Sequence, residues 1–138
     1  MADAPDIYVD LESTTFNFIH DAKKVPPQFV EPAKQAMKKA AERELKGASG
    51  ITTAKKGNGY ALHFLVKEII ADGKGAKCTV SADITRYPSK ESLAGVILSA
   101  TAAAQGMKPD RAVADCLDSI VEDLVTKRAV PAMKKHVR

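Results

Sequence analysis

Two long alternating runs joined by a glycine-containing turn constrain this chain more than any other feature. From Tyr60 to Ala71, Tyr60, Leu62, Phe64, Val66 and Ile70 alternate with Ala61, His63, Leu65, Lys67 and Ile69. After Asp72-Gly73-Lys74-Gly75, the segment Ala76 to Arg86 sets Ala76, Cys78, Val80, Ala82 and Ile84 against Lys77, Thr79, Ser81, Asp83 and Thr85. A period of two puts each set on one side of an extended strand, and it would scatter both sets around a helix. The pair therefore reads as a β-hairpin, and the length and β-branched content of its first strand predict a central position in a sheet.

The flanking segments extend this nucleus. Asp6 to Glu12 alternates Ile7, Val9 and Leu11 with polar residues and predicts a strand. Ser13 to His20 alternates more weakly, and Asp21 to Pro27 reads as a loop. Pro32 suits the first turn of a helix whose stripe is Ala33, Ala36, Met37, Ala40 and Ala41 and whose end is Gly47. A short strand at Gly50 to Ala54 and the Asn58-Gly59 pair suggest a first hairpin closed through Lys55-Lys56-Gly57-Asn58-Gly59. Leu93 to Gln105 fits either a helical stripe or a strand. The need to cover the hairpin edge and the Gly95 and Gly106 boundaries favour a strand. Pro109 opens a last helix with Val113, Cys116, Leu117, Ile120, Leu124 and Val125 on one side, and Pro131 is expected to end or kink it, leaving Met133 to Arg138 as a basic tail. The order β-α-β-β-β-β-α predicts one α+β domain over residues 1–138. Its architecture is a two-layer sandwich, with a mostly antiparallel sheet of four to five strands and two amphipathic helices on one face.

Composition narrows the function. With 138 residues, 45% of them hydrophobic, the chain can bury one core, and an aromatic share of 5% without tryptophan leaves few stacking platforms. The longest apolar run is broken by Lys67 and Glu68, too short for a membrane span. The opening Met1-Ala2-Asp3-Ala4-Pro5 lacks the basic and apolar regions of a signal peptide. It reads either as the start of a mature exported domain or as a natural cytoplasmic start, and two cysteines fit both.

Residues that could carry chemistry fall into weak patterns. His20, His63 and His136 have no metal-ligand spacing, and His63 is expected beside Lys67 on the less apolar side of its strand. Asp6, Asp10 and Glu12 share a side of the first strand, which alternation explains as a solvated face. There is no G-x-S-x-G elbow, and the 55–59 turn lacks the GK[ST] ending of a phosphate loop. Catalytic, metal and cofactor sites are accordingly expected to be absent, and the chain is not expected to be an enzyme or to take a small-molecule substrate. Cys78 and Cys116 both fall on inward faces, where they form either a disulfide or two buried thiols. Lys34, Lys38, Lys39, Lys55, Lys56, Lys127, Arg128, Lys134, Lys135 and Arg138 are candidate contacts for an anionic partner in a chain of net charge +4. Aromatic residues do not interleave with them, and Tyr60 and Phe64 belong to the core face, which argues against an RNA-reading sheet.

Four stretches carry a resemblance: Tyr60-Ala-Leu-His-Phe-Leu-Val-Lys-Glu-Ile, Lys77-Cys-Thr-Val-Ser-Ala-Asp-Ile, Ala94-Gly-Val-Ile-Leu-Ser-Ala-Thr-Ala-Ala-Ala-Gln-Gly and the helix from Pro109. Their hydrophobic rhythm, from Ile7 to about Val130, resembles the periplasmic domains of bacterial outer-membrane lipoproteins, including the penicillin-binding-protein activators and the N-terminal domain of TolB. The resemblance implies a non-enzymatic, extracytoplasmic accessory domain that docks onto a protein partner in the bacterial envelope. A membrane contact would come only through a lipid anchor that the given sequence does not contain. The alternative is a cytoplasmic protein that binds nucleic acid weakly through its lysines.

Overall fold

The computed structural model describes residues 6–105 and 108–136. The expected hairpin forms its centre: β4 (Gly59–Asp72) and β5 (Gly75–Tyr87) run antiparallel from Gly59 opposite Tyr87 to Asp72 opposite Gly75. The ambiguous Leu93 to Gln105 stretch is a strand, β6 (Ser92–Gln105), paired with β5 from Gly75 opposite Gln105 to Asp83 opposite Ile97. The open edge of β5 supplies what local alanine content does not, a ladder of backbone partners.

The N-terminal part departs from expectation. The strand expected over Asp6 to Glu12 is only β1 (Ile7–Tyr8), followed by a bridge from Val9 to Tyr60 and a turn at Leu11 to Ser13. The weakly alternating stretch after it supplies β2 (Thr15–Phe18). The hairpin expected through Asn58-Gly59 is not formed. Instead β3 (Ile51–Thr52) pairs in parallel with β1, and β2 pairs in parallel with β4, Phe16 opposite Phe64 and Phe18 opposite Val66. Parallel neighbours need a long crossover, and α1 (Val30–Gly47) lies on that crossover for both pairs.

The main sheet has the order β2-β4-β5-β6, with β1-β3 as a small separate ribbon. Two amphipathic helices cover one face, so the α+β sandwich stands. α1 begins after a 3₁₀ turn (Pro27–Phe29), with Pro32 in its first turn, where a missing N–H is harmless. It buries Ala33, Met37, Ala40, Ala41 and Leu45. At its end Ala48 is extended, and Gly50, with φ +79°, takes the left-handed turn into β3. α2 (Pro109–Asp123) buries Val113, Cys116, Leu117 and Ile120 as its stripe requires.

Pro131 neither ends this last helix nor leaves a tail. A π-helical stretch (Leu124–Ala129) carries α2 into α3 (Val130–His136), with the Val130 N–H donating to the Val125 carbonyl five residues back. The wider turn precedes the proline, whose missing N–H then falls in the first turn of α3. Met133, expected in an exposed tail, is fully buried. Arg138 and the Met1 to Pro5 segment lie outside the described residues.

The core between the layers joins Met37, Leu45, Leu117, Ile120, Leu124 and Met133 to Leu62, Phe64, Val66, Val80 and Ile84. Each such side chain contributes roughly 1.5–3 kcal/mol by leaving water. One inward residue differs from strict alternation: a bulge between Val66 and Glu68 makes Lys67 an extra residue, so Ile69 is buried at 2% exposure and Ile70 is 53% exposed.

Candidate functional site

The sheet ends at β2, a strand of four residues whose outer side faces a groove of about 730 Å³. Phe16 to Asp21 form one wall, Val30, Glu31 and Lys34 of α1 another, and Val25 and Pro27 lie between them. The Ile19 N–H donates to the Val66 carbonyl at 3.0 Å, so the odd-numbered residues of this segment turn their backbone groups toward β4. Neighbouring residues alternate in a strand, and the N–H and C=O groups of Phe16 and Phe18 therefore point to the free edge. The Phe16 side chain is anchored toward β4. Phe16 stacks on Phe64 with centroids 5.3 Å apart and planes 1° from parallel. The edge is thus held rigid while its outward main-chain groups face the groove.

The loop between the two walls is also fixed by the chain itself. The Asp21 carbonyl accepts from the Lys24 and Val25 N–H groups at 3.0 and 2.8 Å, and the Asp21 Oδ1 accepts from the Lys23 N–H at 2.9 Å. The Ile69 N–H donates to the Lys24 carbonyl at 2.8 Å, which ties this loop back to β4. Ile19, 38% exposed, stands at the lip. An apolar floor with backbone donors and acceptors along one side suits an extended polypeptide. Sequence reasoning missed this groove because its signal, Phe16 and Phe18 around Asn17, is only three residues long.

A second polar cluster lies at the start of the chain. Asp10, expected on a solvated face, is 2% exposed, whereas Asp6 and Glu12 are exposed. The turn at Leu11 to Ser13 ends the alternation and folds the chain back over this carboxylate. Its Oδ2 accepts from the Ser13 N–H at 3.0 Å and from the Ser13 hydroxyl at 2.5 Å, and its Oδ1 accepts from Tyr8 Oη and from Lys55 Nζ at 3.3 Å. Burial, the largest single influence, pushes the Asp10 carboxyl up, but the bonds from Ser13, Tyr8 and Lys55 together outweigh it and hold it below its ordinary value. Burial and the bond to Asp10 push the Tyr8 phenol up. Lys55 also lies 4.7 Å over the Tyr87 ring and is held charged by Tyr87 and Asp10. These mutually satisfied bonds make the cluster a clamp between β1 and the 53–58 turn.

The other residues singled out from sequence are placed as follows. His63 is half-buried on the helix-free side of β4, its Nδ1 bonded to Thr15 Oγ1 at 2.8 Å and its Nε2 to Thr85 Oγ1 at 2.7 Å, spanning three strands. His136 Nε2 accepts from an Arg86 guanidinium nitrogen at 3.1 Å. Because a guanidinium only donates, the His136 proton sits on Nδ1 and is donated to Tyr60 Oη at 3.1 Å. Cys78 and Cys116 do meet, but as buried thiols outside disulfide distance, which corrects the disulfide alternative. A hydrogen bond between them, and then burial, pushes the Cys78 thiol up. Lys34, Lys38, Lys39, Lys56, Arg128, Lys134 and Lys135 are exposed. Lys34 lines the groove, and Lys127 pairs with Asp123 at 3.4 Å. Among the described residues, no group of three His, Cys, Asp or Glu side chains is placed to hold a metal ion, and no helix is long and apolar enough to cross a membrane.

No protein-family model and no curated protein matches this chain. Solved structures do. A protein from Xanthomonas campestris, XCC0632 of the family described as DUF330, is 14% identical over 90% of this chain and 81% of its own, with a TM-score of 0.54. A PelC dodecamer from Paraburkholderia phytofirmans is 13% identical over 91% and 89% at a TM-score of 0.47. A minor lipoprotein from Acinetobacter baumannii is 9% identical over 84% and 89% at 0.38. The chain therefore shares its fold with the Xanthomonas protein, and this likeness of fold leaves the function to be argued from the site.

Proposed function

We propose that this chain is a non-enzymatic, extracytoplasmic accessory domain of the bacterial envelope that docks onto a protein partner through the groove beside β2. The supporting observation is the groove itself: a fixed edge with the outward backbone groups of Phe16 and Phe18, opposite the apolar Val25, Pro27 and Val30. Strand addition to such an edge gives affinity through main-chain bonds and specificity through the flanking apolar surface. The envelope location rests on the resemblance of the hydrophobic rhythm to small periplasmic lipoprotein domains, and the fold shared with the Xanthomonas protein is compatible with it.

The test places a photoactivatable residue at Ile19 and, as a control, at the exposed turn residue Lys74, in the chain expressed in its own cells. One discrete protein adduct from position 19, absent from position 74 and weakened by Phe18→Asp, is the expected result. No adduct, or the same adducts from both positions, rejects the docking groove. Protease added outside the inner membrane should degrade the protein; full protection rejects the location, and salt-sensitive binding to nucleic acid would then be the better reading.

A further inference from the structure

The end of α3 is fastened to the sheet through a single imidazole. His136, the last residue of α3, donates from Nδ1 to Tyr60 Oη of β4 at 3.1 Å and meets the Tyr60 ring edge-on, with centroids 6.1 Å apart. Its Nε2 accepts from the Arg86 guanidinium of β5 at 3.1 Å. Two strands are thus tied to one helix end by the two nitrogens of one ring. The contact with Arg86 requires that ring to be neutral, because a guanidinium has N–H donors and no acceptor and only an unprotonated Nε2 can meet it.

Nothing acidic mediates the contact. Arg43, on the helix layer, is matched by the carboxylates of Glu44 and Asp118. Among the described residues, neither Arg86 nor His136 forms an ion pair with a carboxylate. The charged groups of the neighbouring segments are mostly cations. Lys134 and Lys135 precede His136 in α3 and are exposed, and the Lys134 stem lies over the Gly50 turn, where a Cβ would come within 3.3 Å of its Cε. After β5 comes Lys90, whose N–H donates to the Arg86 carbonyl at 2.9 Å. Before β4 come Lys55, engaged by Asp10 and the Tyr87 ring, and the exposed Lys56. The acidic neighbours are Glu91, whose backbone carbonyl accepts from the Arg86 N–H at 2.7 Å, and Asp6, next to Ile7, whose N–H donates to the Gly50 carbonyl.

We propose that His136 is a pH-sensitive latch: a proton taken up at Nε2 turns its bond with Arg86 into a repulsion between cations and frees the last turn of α3 from the sheet. The closed form binds one proton fewer at this ring than the released form, so acid favours release and a rise in pH favours closure. Imidazole is the side chain whose charge changes between about pH 5 and pH 8, which sets the working range. Release is local, since Val130 and Met133 are buried in the core and hold the start of α3 in place. What it uncovers is Tyr60, 7% exposed in the closed form. This inference does not rest on the docking groove.

The experiment is nitrogen-15 relaxation on the full chain from about pH 8 to about pH 5, with the His136 ring signals followed in the same samples. Backbone order parameters at Lys134, Lys135 and His136 should fall from about 0.85 to below about 0.6, with a midpoint that coincides with the titration of the His136 ring. His136→Gln, whose amide offers a donor and an acceptor at every pH, should keep the helix end ordered throughout, and Arg86→Gln, which removes the opposing cation, should blunt the fall. His20→Gln, at an exposed position outside these contacts, should behave as the wild type. Wild-type order that does not change with pH, order already lost at pH 8, a midpoint apart from the His136 titration, or a His136→Gln chain that loosens equally in acid overturns the proposal. The wild-type midpoints decide it even where a variant fails to fold.

Discussion

Asp10 shows how a buried carboxylate is kept charged: desolvation pushes it up, and the bonds from Ser13, Tyr8 and Lys55 together outweigh that push. Because its folded value lies below the ordinary one, the stabilisation is complete above about pH 4 and is lost as pH falls through the folded value. Melting temperature followed from pH 7 to pH 2 should therefore drop more steeply for the wild type than for Asp10→Asn. At neutral pH that variant should be less stable by about 1–3 kcal/mol, since it disturbs bonds to a charged group. Gly59 is a second sensitive position. A Cβ there would lie 2.7 Å from Tyr8 Cδ2 and closer still to the Tyr8 carbonyl oxygen, so Gly59→Ala should cost about 3 kcal/mol in urea unfolding. Cys78 and Cys116, at 0% and 1% exposure, should react with a thiol reagent such as DTNB only as fast as the protein opens, and both at the same rate. A fast reaction at either thiol in the native state would contradict their burial.

At the level of elements, the bulge explains one place where alternation misleads. The pattern from Tyr60 assigns Ile70 to the core, yet Lys67 inserts one extra residue and hands that place to Ile69. Deleting Lys67 should regularise β4 and change stability by about 1 kcal/mol or less, whereas deleting Leu65 should turn Val66 outward and leave no cooperative unfolding transition. The helices make a weaker test. Arg43 of α1 holds Asp118 of α2 with two bonds of 2.9 and 2.7 Å, both side chains well exposed, so Arg43→Ala should cost only about 0.5 kcal/mol, less in high salt. The hairpin and the buried faces of both helices were legible in the sequence because each repeats its period over ten or more residues, whereas β6, whose own pattern fits helix or strand, was legible only through the hairpin edge that needed covering. The two parallel pairs were not, because β1 and β3 span two residues each and β2 four, too short to establish a period. Asp10 was read as solvated because nothing local announces the turn at Leu11. The groove beside β2 was invisible because its walls come from segments whose closeness only the crossover through α1 creates.

For the whole molecule, the crossover has a consequence in time. β4, β5 and β6 follow one another through short turns, so their ladders close small loops. β2 must instead find β4 across the intervening helix, Thr15 opposite His63, and such distant partners meet slowly. Pulse-labelled hydrogen exchange during refolding should show the amides of β4 and β5 protected before those at Thr15, Asn17 and Ile19; simultaneous protection would reject this order. On that order the groove beside β2 comes into being only after the β4–β5–β6 ladders have closed, so a partner that grips it would recognise a finished sheet and pass over an unfinished one.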